Sequence, residues 1–280
     1  ISASTSGVGN AGNLAINSAN LVIKDGGEIS SSTFNQGDGG NISITAENSI
    51  SLDGSYILNN VQDTKAIGDA GKIDIMTGSL SATKGSQINS FTSGQGNAGD
   101  ITIQARNAAT FDGFDSNNNY SSVFSSVEAG GKGNGGNIKI AARSLSLTNG
   151  GQLEASVFGK TDVLPAGRGQ GGDVSVNVDD TLTIADGNTR GIFANLYAGA
   201  SGSGGDINIQ TGNLVIENGG QISASTLGKG DSGNLFITAN NSISLDASSY
   251  IVNNVEDLNA IGDGGNIDIT TGRSEEHTSE

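Results

Sequence analysis

Cysteine and tryptophan are absent from this 280-residue chain, and proline, methionine and histidine each occur once. Without cysteine there is neither a disulfide framework nor a thiolate zinc site. Aromatic residues make up only 4% and hydrophobic residues 34%, which leaves little apolar surface to offset the entropy of ordering a chain. Basic residues number 13 against 29 acidic ones, a formal net charge of −16. That balance argues against nucleic acid or an anionic membrane as partner, since both require basic patches. No apolar run approaches the ~20 residues of a spanning helix. Residue 1 is neither an initiator Met nor the start of a signal peptide.

Glycine, in contrast, occurs 45 times, and its placement is regular. A motif of Gly, one polar residue and two aliphatics separated by one residue recurs nine times. It reads GNLAI at Gly12, GNISI at Gly40, GKIDI at Gly71, GDITI at Gly99 and GNIKI at Gly136. It continues as GDVSV at Gly172, GDINI at Gly205, GNLFI at Gly233 and GNIDI at Gly265. The spacings are 28, 31, 28, 37, 36, 33, 28 and 32 residues. Each unit holds two further short segments that alternate apolar and polar residues, such as NLVIE and QISAST after DINIQ. Alternation of period two marks a strand with one buried face, and no segment has the spacing of a long amphipathic helix.

Units of 28 residues are too short for propeller blades, which need about 40. A single-stranded right-handed parallel β-helix fits better: all-β, three short strands per turn, about eight to nine turns, and essentially no helix. Stacking each unit on the next at ~4.8 Å aligns like residues into ladders. Leu14, Ile42, Ile73, Ile101, Ile138, Val174, Ile207, Leu235 and Ile267 form one ladder. Ile16, Ile44, Ile75, Ile103, Ile140, Val176, Ile209, Ile237 and Ile269 form the next. A core of narrow cross-section can thus be filled by a chain with few apolar residues. Turn chemistry at Asp25, Asn149 and Asn218, each followed by two glycines, suits the second corner.

The residue after the motif glycine is Asn or Asp in eight of nine copies, Lys72 being the exception. Stacked amides can hydrogen-bond along a solenoid corner. Asp173 and Asp206 would fall in adjacent turns, where a calcium ion is conceivable, although capping of backbone amides is the commoner role of turn aspartates. A longer repeat overlays the short one: NSISLDGSYILNNVQDTKAIGDAGKIDI returns as NSISLDASSYIVNNVEDLNAIGDGGNIDI, and residues 205–270 follow 12–76 closely. Duplication of whole turns is easy for a solenoid, because each turn touches only its neighbours. Catalytic machinery is seldom duplicated in this way, which favours a spacer or display role.

The GGN-[IL]-x-I, [SN]-[IL]-x-[IL] and GGxIS-[AS]-S-T elements resemble the repeats of filamentous-haemagglutinin-type exoproteins, especially the large cyanobacterial members. The resemblance spans residues 1–272. It implies a β-helix passenger exported by two-partner secretion through an outer-membrane partner and shown at the cell surface. The family's amino-terminal secretion domain has no counterpart in these residues. ISASTSGVGNAG at the start matches the third strand and corner at Ile222–Gly233, so the chain is expected to begin inside a turn. Residues 1–272 are accordingly expected to be a β-helix segment lacking both natural ends.

Polysaccharide lyases and hydrolases also use β-helices, so an enzyme is the alternative to an adhesive rod. Glycoside chemistry needs two carboxylates at a fixed separation. The candidate pair is Asp179–Asp180, at the corner where other turns carry ANN, AEN or QTG, and a plain turn is the better account. Arg168 and Arg190 are candidate substrate clamps, though solvated loop charges are commoner. The Gly-His-Gly element of pectin-degrading hydrolases is absent. The expectation is therefore not an enzyme, with no catalytic residue, metal ligand or cofactor assigned and the ligand-binding residues unassigned. Function is sought instead where the repeat is interrupted, since loops on rigid scaffolds usually carry it. Residues 111–122 enlarge a second corner and 157–172 a third corner. Phe111, Phe114 and Tyr120 are candidates for stacking on a sugar, or more simply for covering the end of a strand. Leaving from different corners, the two insertions are not expected to form one pocket. The expected protein is a structural and adhesive segment, extracellular or at the outer cell surface, contacting glycans or other cells, with no nucleic acid and no membrane insertion.

The repeat fails at Arg273. The tail RSEEHTSE looks like a translation of AGA TCG GAA GAG CAC ACG TCT GAA, a common short-read sequencing adapter. Residues 273–280 are therefore expected to be a non-native disordered tail. His277 and its neighbouring glutamates are then no metal site.

Overall fold

The computed structural model describes residues 1–185, 190–246 and 248–272. Among these residues there is no helix. Nine long strands, from Leu14–Lys24 to Ile267–Thr271, form a parallel sheet in which each lies beside its counterpart one turn away. Eight short strands, from Glu28–Ser30 to Tyr250–Val252, form a second parallel sheet. A third side is closed by single parallel bridges, among them Thr33 to Val61 and Val61 to Thr92. The fold is the expected β-solenoid, with about eight turns. The tail 273–280, with His277, lies outside the described residues.

In one respect the strands differ from expectation. The first and second strands of each turn are joined into one strand of 11 or 12 residues with an irregularity in the middle, as in Ile42–Asp53. The inward side chains on either side of this bend are separated by three or four residues, in strict alternation. In Leu14–Lys24 they are Ser18 and Leu21, packed beside Ala46 and Ile50 of the following turn. Thr77 and Leu80 come next, then Ala105 and Ala109, Ala142 and Leu145, Val178 and Leu182, Thr211 and Leu214. A narrow bend therefore always lies against a wide one, and the register offset introduced by one turn is removed by the next. The physical repeat is two turns, which explains why the long sequence duplication joins equivalent motifs an even number of turns apart, Gly12 to Gly205. Glycine suits the narrow bends: a Cβ on Gly78 would lie 2.2 Å from the Asn48 carbonyl oxygen, and one on Gly212 would lie 2.4 Å from that of Asp180.

Both expected aliphatic ladders are present in register, Ile101 beside Ile138 and Ile103 beside Ile140, for example. Ile29, Ile57, Ile88, Val123, Leu153, Ile192 and Ile222 line the opposite wall from the short strands. Burying each such side chain contributes roughly 1.5–3 kcal/mol, and stacking places each one beside another Ile, Leu or Val in the adjacent turns.

The motif glycines are required by close approach. A Cβ on Gly99 would meet the Gly71 carbonyl oxygen at 1.9 Å, and Gly172 and Gly205 repeat the contact on Gly136 and Gly172 at 1.9 and 2.0 Å. Second corners instead need the left-handed conformation, adopted by Asp25, Asn149 and Asn218 at φ 55°, 49° and 54°. The Asn or Asp after each motif glycine has a definite task. Its side-chain oxygen accepts the backbone N–H of the same position one turn on, as Asn137 Oδ1 does from Asp173 at 2.9 Å. Asp173 Oδ1 accepts from Asp206 N–H at 2.8 Å, and Asp206 Oδ1 from Asn234 N–H at 2.7 Å. A second column of the same kind runs through Asn10, Asp38, Asp69 and Asn97.

Candidate functional site

The outward side chains of the short strands depart most from the repeat in the middle of the rod. One column of this sheet places Asn89, Phe124, Glu154, Phe193 and Ser223 side by side. Glu154 thus stands between two phenylalanines and is 2% exposed. The adjoining column follows the bridges through Val127, Val157, Leu196 and Thr226, so that Glu128, Phe158, Tyr197 and Leu227 succeed one another. Across the two columns the Tyr197 hydroxyl donates to Glu154 Oε1 at 2.9 Å. The Gln152 amide donates to Glu154 Oε2. Phe158 stacks on Tyr197 with ring centroids 5.1 Å apart.

This setting pushes both carboxyls upward. Burial raises Glu154 to about 7, opposed by hydrogen bonds from Tyr197 and Ser156 and by the charge of Arg190. Burial also raises the partly exposed Glu128 to about 7, with the neighbouring charge of Glu154 as the second cause. Burial carries the Tyr197 phenol well above its ordinary value, reinforced by Glu154. Two carboxyls whose ionisation is opposed by burial, with Glu154 further opposing that of Glu128, are a feature that acid–base and ligand-binding sites share.

Both insertions flank this sheet. The loop 157–172 folds back over it, held by Gly130 N–H to the Pro165 carbonyl at 2.7 Å and Gly167 N–H to the Phe158 carbonyl at 2.9 Å. It walls a groove of about 440 Å³ lined by Gln87, Asn89, Phe91, Phe124, Glu128, Phe158, Thr161 and Leu164. On the far side of Phe158 lies a second groove of about 350 Å³, reaching Lys160, Tyr197 and Leu227. The insertion 111–122 closes on itself. Asp115 accepts from the backbone N–H groups of Asn117 and Asn119, each at 2.8 Å, and from the Asn119 amide, contacts that lower its pKa. Phe114 meets Tyr120 edge to face. The Arg190 guanidinium lies 4.3 Å above the Tyr120 ring, and its charge also acts on Glu154 and Tyr197. A chain from Tyr120 through Arg190, Glu154 and Tyr197 to Phe158 connects the two insertions.

The residues expected from sequence fall elsewhere, Arg190, Phe114 and Tyr120 excepted. Asp179 and Asp180 form a wide bend of a long strand, and Asp180 Oδ2 takes Arg143 Nε at 2.7 Å in an exposed ion pair. Arg168 is exposed on the third side, paired through its backbone with Ser201. Phe111 is fully buried in the core and is unavailable for stacking on a ligand. Asp173 and Asp206 serve the corner ladder. Glu154 had a sequence signal that spacing alone does not show. In QLEAS an acid stands where related turns have QINSF and QISAS. No family model, curated protein or solved structure matches this chain.

Proposed function

We propose that this chain is a structural and adhesive segment of a large secreted or cell-surface exoprotein. In this reading it is a stiff rod, displaying loops that contact glycans or other cells. The observation that carries the reading is the confinement of irregularity. The stacked core continues from turn to turn and the corner ladder is broken only at Lys72, while the two insertions and the acidic cluster gather on the short-strand side. A rod of stacked turns, on the order of 40 Å long at ~4.8 Å per turn, holds such a surface away from whatever anchors it. The resemblance to filamentous-haemagglutinin-type repeats supports export with an outer-membrane partner. The test replaces 114–120 or 159–166 by the short turns found elsewhere in the rod and measures attachment to cells and glycan-coated surfaces. Loss of attachment with unchanged circular dichroism supports the display role; unchanged attachment in both variants removes it from these loops.

A polysaccharide-active enzyme is the second reading, favoured by the raised carboxyl of Glu128 in the groove wall and that of Glu154 near it. It requires turnover of a polysaccharide that disappears in Glu128→Gln and in Glu154→Gln. Absence of turnover across a broad glycan panel would end it.

A further inference from the structure

We infer that the groove floored by Asn89 is a binding subsite for an uncharged sugar ring. This deepens the adhesive reading and rests on it for its biological meaning. Asn89 is 5% exposed, and its amide nitrogen donates to Gln87 Oε1 at 3.0 Å. Its carbonyl oxygen Oδ1, also buried, has no hydrogen-bond partner. A buried acceptor left unmatched is destabilising, and a small turn of the Asn89 side chain toward the groove it lines would let that oxygen take a donor from outside the chain. Nothing in the fold demands an amide here, because the same column holds Ser30, Leu58, Phe124 and Ser223 in other turns.

The remaining wall indicates which donor. Phe91, Phe124 and Phe158 provide apolar surface, and Glu128 and the Thr161 loop provide polar groups at the edge. A pyranose matches this combination, with hydroxyl donors around its rim and C–H groups on its faces for aromatic contact. Charge narrows the class. Glu128 borders the groove, and the chain carries −16 overall, so uronic or sulfated sugars are disfavoured.

Soluble neutral oligosaccharides of glucose, galactose and mannose, with their uronic and sulfated counterparts, would be titrated calorimetrically against the protein. At least one neutral oligosaccharide is expected to bind, and the anionic set to bind at least tenfold more weakly. Asn89→Leu has similar volume and removes the unmatched oxygen, so the rod is expected to keep its Tm while affinity falls at least tenfold. Phe158→Ala, which leaves Asn89 intact, is expected to weaken binding as well. Failure of every neutral sugar to bind, preference for anionic sugars, or unchanged affinity in a folded Asn89→Leu variant would each overturn the site. Cell attachment measured on the same variants separates the two ideas. Attachment that survives without sugar binding leaves the adhesive rod standing and removes this subsite. Sugar binding without any role in attachment does the reverse.

Discussion

Tyr197 donates its hydroxyl to Glu154 Oε1 at 2.9 Å across 43 residues of sequence. The contact lies outside the core, between two neighbouring columns of outward side chains. It shows where this repeat protein departs from repetition: a carboxyl is buried in a column that holds serine, leucine, asparagine or phenylalanine in other turns.

Stability should fall as pH rises through the neutral range. Glu128 and Glu154 hold their protons to about 7 in the fold, whereas the unfolded chain releases them near 4.5. Their contribution is complete below 4.5 and is lost as pH climbs through 7. The opposing acid limb comes from Asp246, held down to about 2 by hydrogen bonds from Ser249 and Asn218. Its contribution exists above 3.8 and fades as pH falls. Thermal melts are expected to show a maximum Tm between about pH 4 and 5. The Glu128→Gln/Glu154→Gln double variant should flatten the neutral limb. A wild-type Tm that rises steadily from pH 5 to 8 would contradict the burial of these acids.

Close approach and backbone conformation can be separated with two glycines. Gly99 has no positive φ, but a Cβ there would lie 1.9 Å from the Gly71 oxygen. Gly26 has φ 77° and open space around it. Gly99→Ala is expected to cost about 3 kcal/mol through overpacking, and Gly26→Ala about 1 kcal/mol through conformation. Equal losses in urea unfolding would mean that the motif glycines are not there for stacking.

The aromatic residues of the 111–122 segment should divide sharply. Phe111 is fully buried, so Phe111→Ala is expected to cost about 3–5 kcal/mol. Phe114 is 49% exposed, and Phe114→Ala should cost less than about 1 kcal/mol. Denaturant titrations of the two variants test the assignment, and comparable losses would place Phe111 wrongly in the core.

Lys72 interrupts the corner ladder, because its side chain has no acceptor for the next turn. Its backbone N–H still donates to Asn41 Oδ1 at 2.9 Å. Lys72→Asn is expected to restore an acceptor for Asp100 N–H, adding about 0.5–1 kcal/mol. The exposed Lys72–Asp100 ion pair that is lost, 3.4 Å long, offsets little of this. A lower Tm for Lys72→Asn would show that the ladder contributes less than the ion pair.

The architecture was legible in the sequence because solenoid stacking is a one-dimensional problem. A motif that returns every 28 to 37 residues puts like side chains into register, and period-two alternation says which of them face inward. Both aliphatic ladders, the second-corner turns and the place of both insertions follow from that alone. The union of two strands across a bend was hidden, because TG, AEN and QTG have turn composition while the backbone there continues the sheet.

The functional surface was decided by tertiary structure. Whether Glu154 is a solvated charge or a buried acid depends on Phe124 and Phe193 beside it in adjacent turns and on Tyr197 from the neighbouring column. These contacts are lateral, between turns, and no local pattern encodes them. Asn89 is similar: in sequence it is one polar residue of QINSF, and only the loop from the turn after next makes it the floor of a groove. Sequence periodicity determined the rod, since every rung obeys the same packing rule. Burial and charge on its side were set by which unlike residues happen to be stacked together.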